Sequence, residues 1–411
     1  MKKTILLFIV WIAVSFVAFG QTDSPAFNDF IARLQLAQKQ YHQYYEEKNY
    51  VQTEASLREM LTLVENVQLT PDETDKHSAF LKYAKAGTYY NLACTYSLMK
   101  RKKQAVTAFE KAIDLGYTEY RHIKKDTDLD YIRKEKKFII LLEKIKQFDP
   151  LVVLQHVNGY QKENTDSLPT FTYQSAENQN LKEVRAFFKL DSVAGTGDEL
   201  SKIIRLLQFV HNTIKHNGGN FALCEFDAID IYNYHKSTGK GVNCRHLAIA
   251  LNEMYLSMDI PSRYITCMPR SADDPDCHVI NSVYSSQLKK WLWIDPTFNA
   301  YVKDENGNML SIAEVRERLI TGKPVVLNED ANWNNQTPQT KEHYLDYYMA
   351  KNLYWFDCLV HSQFNPESRY RKTGNRYISL KPVGFGEESP GNGNTSVTRD
   401  SEYFWQAPAS K

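Results

Sequence analysis

The chain has 411 residues, which is more than one ordinary domain holds and suggests two or three. Hydrophobic residues make up 43% and charged residues 24%, the composition of folded proteins, so disorder over most of the chain is excluded. Lys and Arg number 50 against 49 Asp and Glu, a formal net charge of +1. Without a basic excess to neutralise phosphates, the composition argues against a nucleic-acid partner.

Residues 1–20 have the pattern of a secretory signal peptide. Lys2 and Lys3 precede an apolar run from Ile5 to Phe19, and the expected cleavage site lies before Gln21. We therefore expect an exported protein, periplasmic or secreted, with no stable membrane insertion after cleavage. An uncleaved anchor is the alternative, although the run is short for a span of about 20 residues.

Residues 24–149 are expected to form a helical module, because apolar and aromatic residues recur at three- and four-residue steps. One stretch alternates large and small residues as tetratricopeptide repeats do: Tyr89, Leu92, Ala93, Tyr96, Ala105, Phe109 and Ala112. A degenerate earlier copy runs from about residue 41 to residue 60. The module thus resembles about two tetratricopeptide repeats, which implies a surface for a protein partner. An unrelated helical hairpin with the same spacing is the alternative.

Two repeats are fewer than the roughly three that a free-standing stack needs. No linker rich in Gly, Ser or Pro separates Lys146 from Leu151. We therefore expect the helical module to pack on the domain that follows it.

Residues 150–383 are expected to form an α+β domain. Helices are predicted at 181–190, 198–216 and 244–258, and strands at 168–173, 262–268, 278–284 and 291–294. Residues 287–290 can turn the last two strands into a hairpin. Residues 384–411 are predicted to be a glycine-rich loop and an aromatic tail, Tyr403-Phe404-Trp405, that packs back onto the domain.

Three residues of this domain have the chemistry of a thiol catalyst. Cys244 lies in the first turn of a predicted amphipathic helix, where the helix dipole stabilises a thiolate. His278 begins one predicted strand and Asp295 ends another, so a hairpin would bring them to adjacent strand ends. Asp295 would then orient the imidazole, which takes the proton of the Cys244 thiol and gives it to a leaving amine.

The order Cys, His, Asp and its flanking motifs resemble the transglutaminase-like superfamily, which shares a papain-like triad. The motifs are Gly-Val-Asn-Cys ending at Cys244, the strand opening at His278, and Trp-Leu-Trp-Ile-Asp-Pro-Thr around Asp295. The resemblance covers about residues 200–300. It implies a papain-like, transglutaminase-like catalytic domain with an oxyanion hole. The Cys244 backbone N–H is the expected donor there, and Gln208 is the side-chain candidate.

The resemblance implies a cysteine-dependent acyl-transfer enzyme that acts on amide or peptide bonds of a peptide or protein, without metal or organic cofactor. Cys244 is the expected nucleophile, His278 the base and then the acid, and Asp295 the orienting group. Hydrolysis is favoured over cross-linking, because water is always available and nothing marks a lysine-binding site. The alternative is a non-catalytic peptide- or protein-binding protein that uses the same fold.

The six cysteines include no Cys-x-x-Cys pair, which argues against a structural zinc site. A mixed set of Cys244, His246, Cys277 and His278 is also disfavoured. Residues two apart on a helix, or adjacent on a strand, do not face each other.

The expected reactive thiol leaves five other cysteines, so at least one more must be unpaired. Cys94 is expected to be that residue, buried on a repeat helix. A bridge between Cys267 and Cys277 is one expectation for the rest, because their strands could pair antiparallel. Six reduced thiols are an equally weighted alternative.

Overall fold

The computed structural model describes residues 24–271, 274, 276–368, 374–386 and 394–409. The expected signal peptide, residues 1–20, lies outside the described residues. The chain divides into two compact units, the first ending at Asp149 and the second beginning at Pro150. The described part of the first unit is helical, and the second unit is α+β.

The described helices of the first unit follow one another with short connections. They are α1 (Pro25–Glu46), α2 (Tyr50–Asn66), α3 (Pro71–Leu98), α4 (Lys102–Asp114), α5 (Tyr120–Lys125), a 3-10 turn (Thr127–Leu129) and α6 (Lys136–Lys146). Helix α3 begins with a capping box between Thr70 and Glu73, which satisfies backbone N–H groups at the helix start. Helices α1 and α2 pack together, as do α3 and α4, so the unit consists largely of helical hairpins.

The predicted repeat residues lie on the facing sides of α3 and α4. Ala93, Ala105 and Ala112 are completely buried, and so is Phe109. Small side chains at these positions let the two helix backbones approach, while the aromatic rings fill the space beside them. The packing of this hairpin therefore follows the spacing that the sequence predicts.

The second unit is built on an eight-stranded sheet with the order β12-β11-β9-β2-β3-β4-β5-β6. Its strands are β2 (Ser262–Met268), β3 (His278–Ser285), β4 (Lys290–Asp295), β5 (Ala300–Lys303), β6 (Val326–Leu327), β9 (Trp355–Leu359), β11 (Tyr377–Leu380) and β12 (Thr395–Thr398). The pair β11–β12 is parallel and the other neighbours are antiparallel, so the sheet is mixed. Two small pairs complete the strands: β1 (Thr172–Tyr173) with β10 (His361–Ser362), and β7 (Asn332–Trp333) with β8 (Thr337–Pro338).

The described helices of the second unit are α7 (Pro150–Gln155), α8 (Gln179–Phe187), α9 (Leu190–Ala194), α10 (Glu199–Thr213), α11 (Ala228–Thr238), α12 (Cys244–Ser257), α13 (Ile312–Thr321), α14 (Lys341–His343), a π-helix (Tyr344–Met349), α15 (Ala350–Asn352) and α16 (Ser401–Phe404). Helix α12 is buried from His246 to Ser257. It lies between β2 and β3 on one side and α8, α10 and α11 on the other. The start of α12 is thereby held firmly against the sheet.

Several local predictions need correction. The helix predicted at 181–190 is two helices, because Lys189 adopts a left-handed φ of 52° that interrupts the helical backbone. The strand predicted at 168–173 has only two residues, Thr172–Tyr173. Part of the segment predicted as a glycine-rich loop is the strand β12, because residues 395–398 pair with the edge of β11.

The aromatic tail packs on the second unit through Arg263. The guanidinium of this buried arginine donates to the Phe404 carbonyl over 2.6 Å. It also lies 4.5 Å from the ring centroid of Phe171 and 4.8 Å from that of Trp291. Rings above the cation and a carbonyl at its edge replace the water that a buried guanidinium loses.

None of the described helices combines the length and the hydropathy that crossing a bilayer requires.

Candidate active site

The hairpin of β3 and β4 brings His278 and Asp295 together. His278 is the first residue of β3 and Asp295 the last of β4, so antiparallel pairing places them at the same end of the hairpin. His278 Nε2 lies 2.7 Å from Asp295 Oδ2, and both side chains are at least 99% buried. The imidazole therefore has one nitrogen on the carboxylate, and Nδ1 remains for the nucleophile.

Asp295 is held from three sides. Its Oδ2 also accepts a hydrogen bond of 2.6 Å from the Tyr344 hydroxyl, and its Oδ1 accepts one of 2.8 Å from the Thr297 backbone N–H. Trp293 Nε1 donates in turn to the Tyr344 oxygen over 3.2 Å. These contacts fix the carboxylate plane, so Asp295 presents the same oxygen to His278.

Cys244 is the first residue of α12. The Asn243 side chain caps the helix by accepting from the His246 N–H. The Cys244 N–H, one of the first amides of the helix, has no acceptor within the helix. Sulfur and amide thus lie at the positive end of a helix that is buried along most of its length.

The pKa of the Cys244 thiol falls to about 6. Burial alone would raise this pKa, but hydrogen bonds from His216 and His278 and the charge of His278 lower it further than burial raises it. The opposite shift occurs at the histidine. Burial lowers the pKa of His278, but the charge and hydrogen bond of Asp295 and the contact with Cys244 raise it to about 10. These two pKa shifts favour a thiolate–imidazolium pair of Cys244 and His278 at pH values between about 6 and about 10.

Three residues of the site were missed by the sequence predictions. His216 contacts the Cys244 sulfur, Tyr344 holds Asp295, and the Tyr348 hydroxyl lies 3.3 Å from His278 Nδ1. The two tyrosines lie on the π-helix, a rare element that is common at functional sites. No local pattern marks these residues, because each comes from a segment far along the chain from its partner.

Gln208, the candidate side-chain donor of the oxyanion hole, is hydrogen-bonded to another residue. Its amide donates to Asp330 Oδ2 over 3.4 Å, and Asp330 also accepts from Asn299 Nδ2 over 3.0 Å. The structure therefore gives the Gln208 amide a partner other than Cys244.

The expected Cys267–Cys277 bridge is wrong, since both cysteines are free thiols. Cys267 pairs with His278 in the β2–β3 register, so Cys277 lies one residue beyond that pair. Successive side chains on a strand point to opposite faces, which separates the two sulfur atoms. Within the described residues, the one group of three side chains close enough to share a metal ion is in the first unit: Cys94, Asp126 and Asp128.

Comparison with known proteins finds a family match in each unit of the chain. The sequence model of the transglutaminase-like superfamily matches residues 188–296, which contain all three predicted triad residues. The second unit carries a transglutaminase-like domain. The tetratricopeptide repeat model matches residues 86–115, which span the hairpin of α3 and α4.

Two individual proteins are also similar to parts of the chain. A chloroplastic protein of Arabidopsis thaliana is 42% identical over 60 residues, which are 15% of this chain and 17% of that protein. A crystal structure of a candidate cysteine protease from Cytophaga hutchinsonii aligns with 36% of this chain and 48% of its own, at 16% identity and a TM-score of 0.23. The chain thus spans less than half the length of either protein.

Proposed function

We propose that the transglutaminase-like domain is a cysteine-dependent acyl-transfer enzyme that acts on amide or peptide bonds. The observation that carries the proposal is the His278–Asp295 contact of 2.7 Å behind a Cys244 thiol whose pKa falls to about 6. A thiol used only for packing has no need of a buried, oriented imidazole.

The chemistry follows from the order of the groups. The Cys244 thiolate attacks the carbonyl carbon, forming an S–C bond while the carbonyl π electrons move onto oxygen. The tetrahedral species then collapses, the C–N bond breaks, and His278 gives its Nδ1 proton to the leaving amine. The resulting thioester is attacked by water or by an amine, whose proton His278 takes as the thiolate leaves. Asp295 stabilises the imidazolium in both stages.

We propose water as the usual acceptor, so that the enzyme is a peptidase or amidase. Incubation with casein peptides and a biotin-labelled primary amine distinguishes the two acceptors. New peptide termini or deamidated glutamines, found by mass spectrometry, indicate hydrolysis. Biotin incorporated into the peptides would instead make the protein a transglutaminase and contradict this preference.

Alkylation separates a catalyst from a binding protein of the same fold. At a mildly acidic pH an ordinary thiol, with a pKa of about 8.5, reacts slowly with iodoacetamide, whereas an activated thiolate reacts fast. Peptide mapping should place the first label on Cys244. Cys224, also half-buried in this domain, is the internal reference. Equal labelling of both cysteines would favour the binding protein.

The tetratricopeptide repeat indicates a role in protein–protein interaction for the first unit. We propose that this unit binds a protein partner.

We also propose that the chain is exported to the periplasm or secreted. The pattern of residues 1–20 supports export. Cell fractionation with N-terminal sequencing tests it, and a cytosolic protein with an intact N-terminus would contradict it.

A further inference from the structure

His216 lies beside the nucleophile without belonging to the Cys-His-Asp triad. Residues 215–217 run alongside the segment that leads into α12. The Val242 N–H donates to the Lys215 carbonyl over 2.8 Å, and the Asn217 N–H donates to the Val242 carbonyl over 2.7 Å. A Cβ on Gly241 would lie 2.8 Å from the His216 carbonyl carbon, so only glycine permits this approach. The backbone thus holds His216 next to the start of α12.

Both backbone groups of His216 are held by one side chain. The His216 N–H donates to Asn334 Oδ1 over 2.8 Å, and Asn334 Nδ2 donates to the His216 carbonyl over 3.0 Å. Trp333, the residue before Asn334, donates from its indole Nε1 to His216 Nδ1 over 2.9 Å. Trp333 and Asn334 together therefore fix the backbone position of His216 and the orientation of its ring.

The contact with Trp333 decides where the His216 ring carries its proton. An indole N–H can only donate, so Nδ1 must offer a lone pair and the ring proton is on Nε2. A second proton on Nδ1 would face the indole N–H directly. His216 therefore offers its Nε2–H as a donor, a role different from the base role of His278.

We propose that the Nε2–H of His216 is the side-chain donor of the oxyanion hole, acting together with the backbone N–H of Cys244. This inference rests on the proposed acyl-transfer function. In the resting site the ring contacts the Cys244 sulfur. During attack the sulfur's negative charge passes into the new S–C bond, and the carbonyl π pair moves onto the oxygen. The oxygen is then the stronger acceptor, so the donor passes from sulfur to oxygen.

Two probes separate this role from a structural one. Iodoacetamide alkylates the thiolate by displacing iodide, so no oxyanion forms. p-Nitrophenyl acetate acylates the thiolate through a tetrahedral oxyanion and releases nitrophenolate. His216→Ala should slow acylation by about 10²- to 10³-fold, the usual effect of losing one oxyanion donor. Alkylation, measured at a pH where Cys244 is fully ionised, should change little. His216→Gln supplies an amide donor and should recover part of the acylation rate.

Trp333→Phe keeps an aromatic ring but removes the donor to Nδ1. Because the ring proton is then no longer confined to Nε2, acylation should fall by a smaller factor than in His216→Ala. His156, an exposed histidine of the same unit, is the matched control. His156→Ala should leave both rates unchanged.

The outcomes distinguish the two proposals. An unchanged acylation rate in His216→Ala, or equal losses of acylation and alkylation, would overturn the assignment of His216 while the acyl-transfer function stands. A wild-type Cys244 that is neither alkylated at mildly acidic pH nor acylated would overturn the function itself. Should His216→Ala fail to fold, the ratio of the two rates in His216→Gln and Trp333→Phe decides the question.

Discussion

Each unit of the molecule holds a cysteine close to a carboxylate and a histidine, yet the two thiols differ in opposite ways from an ordinary one. In the first unit, Cys94 Sγ lies 3.5 Å from Asp126 Oδ2, and His122 Nε2 lies 3.7 Å from the same oxygen. Burial raises the pKa of the Cys94 thiol well above its usual range, and the charges of Asp126 and Asp128 raise it further.

In the second unit the same residue types lower the pKa of the thiol. The carboxylate of Asp295 lies behind His278 and contacts the imidazole, so its charge keeps the ring protonated. The cationic ring then stabilises the Cys244 thiolate. The residue types of such a cluster alone therefore do not make a cysteine a nucleophile. The arrangement of the contacts matters, since a carboxylate against the sulfur opposes ionisation of the thiol, whereas a carboxylate behind the imidazole promotes it.

The largest effect on activity is expected for Cys244→Ala. We expect amide-cleaving or cross-linking activity to fall by about 10⁴-fold or more, because the step that forms the S–C bond is lost. Turnover of casein peptides measures the loss, with thermal unfolding as the check that the fold is retained. Cys224→Ala is the matched control and should keep its activity. Retained turnover in Cys244→Ala would refute the mechanism.

Asp295→Ala tests the position of the carboxylate behind the imidazole. We expect a loss about a hundredfold smaller than that of Cys244→Ala, because orienting groups contribute less than the nucleophile. The pKa of Cys244 should rise, since an imidazole without its carboxylate is less basic. The pH dependence of alkylation measures that shift. If this pKa stayed at its wild-type value, Asp295 would not act through His278.

The pH dependence of activity tests the shifted pKa values of Cys244 and His278. Activity should rise as the pH increases through about 6, where the Cys244 thiol ionises, and fall through about 10, where His278 loses the proton needed by the leaving amine. Below the lower limit we expect about a tenfold loss per pH unit, as for a single ionisation. Initial rates across buffers of constant ionic strength measure this. A profile rising only near the pKa of an ordinary thiol would contradict the ion pair.

Cys94→Ala should have the smallest effect. Cys94 is buried and its pKa is raised, so neither turnover nor the rapid phase of alkylation should change. We expect about 1 kcal/mol of destabilisation from the small cavity that remains. Chemical denaturation and the peptide assay check the two parts. A loss of turnover in a folded Cys94→Ala protein would mean that the first unit influences the chemistry.

Much of the fold was accessible from local patterns. The helix predicted at 244–258 is found at Cys244–Ser257, and the strand predicted at 262–268 is found without change. Apolar periodicity and helix caps act over a few residues, so such elements can be located without knowing their neighbours. Where a single left-handed residue such as Lys189 interrupts a pattern, local reasoning misses the break.

The candidate triad could be predicted from the sequence, because the helix start at Cys244 and the hairpin that joins His278 to Asp295 are local features. The residues that surround the triad depend on long-range contacts. Tyr344 is 49 residues from Asp295, and Trp333 is 117 residues from His216. The order of the sheet and the β2–β3 register, which separates Cys267 from Cys277, also depend on pairing between strands. Such contacts come from packing and strand pairing across long stretches of chain, and no short pattern encodes which partner is chosen.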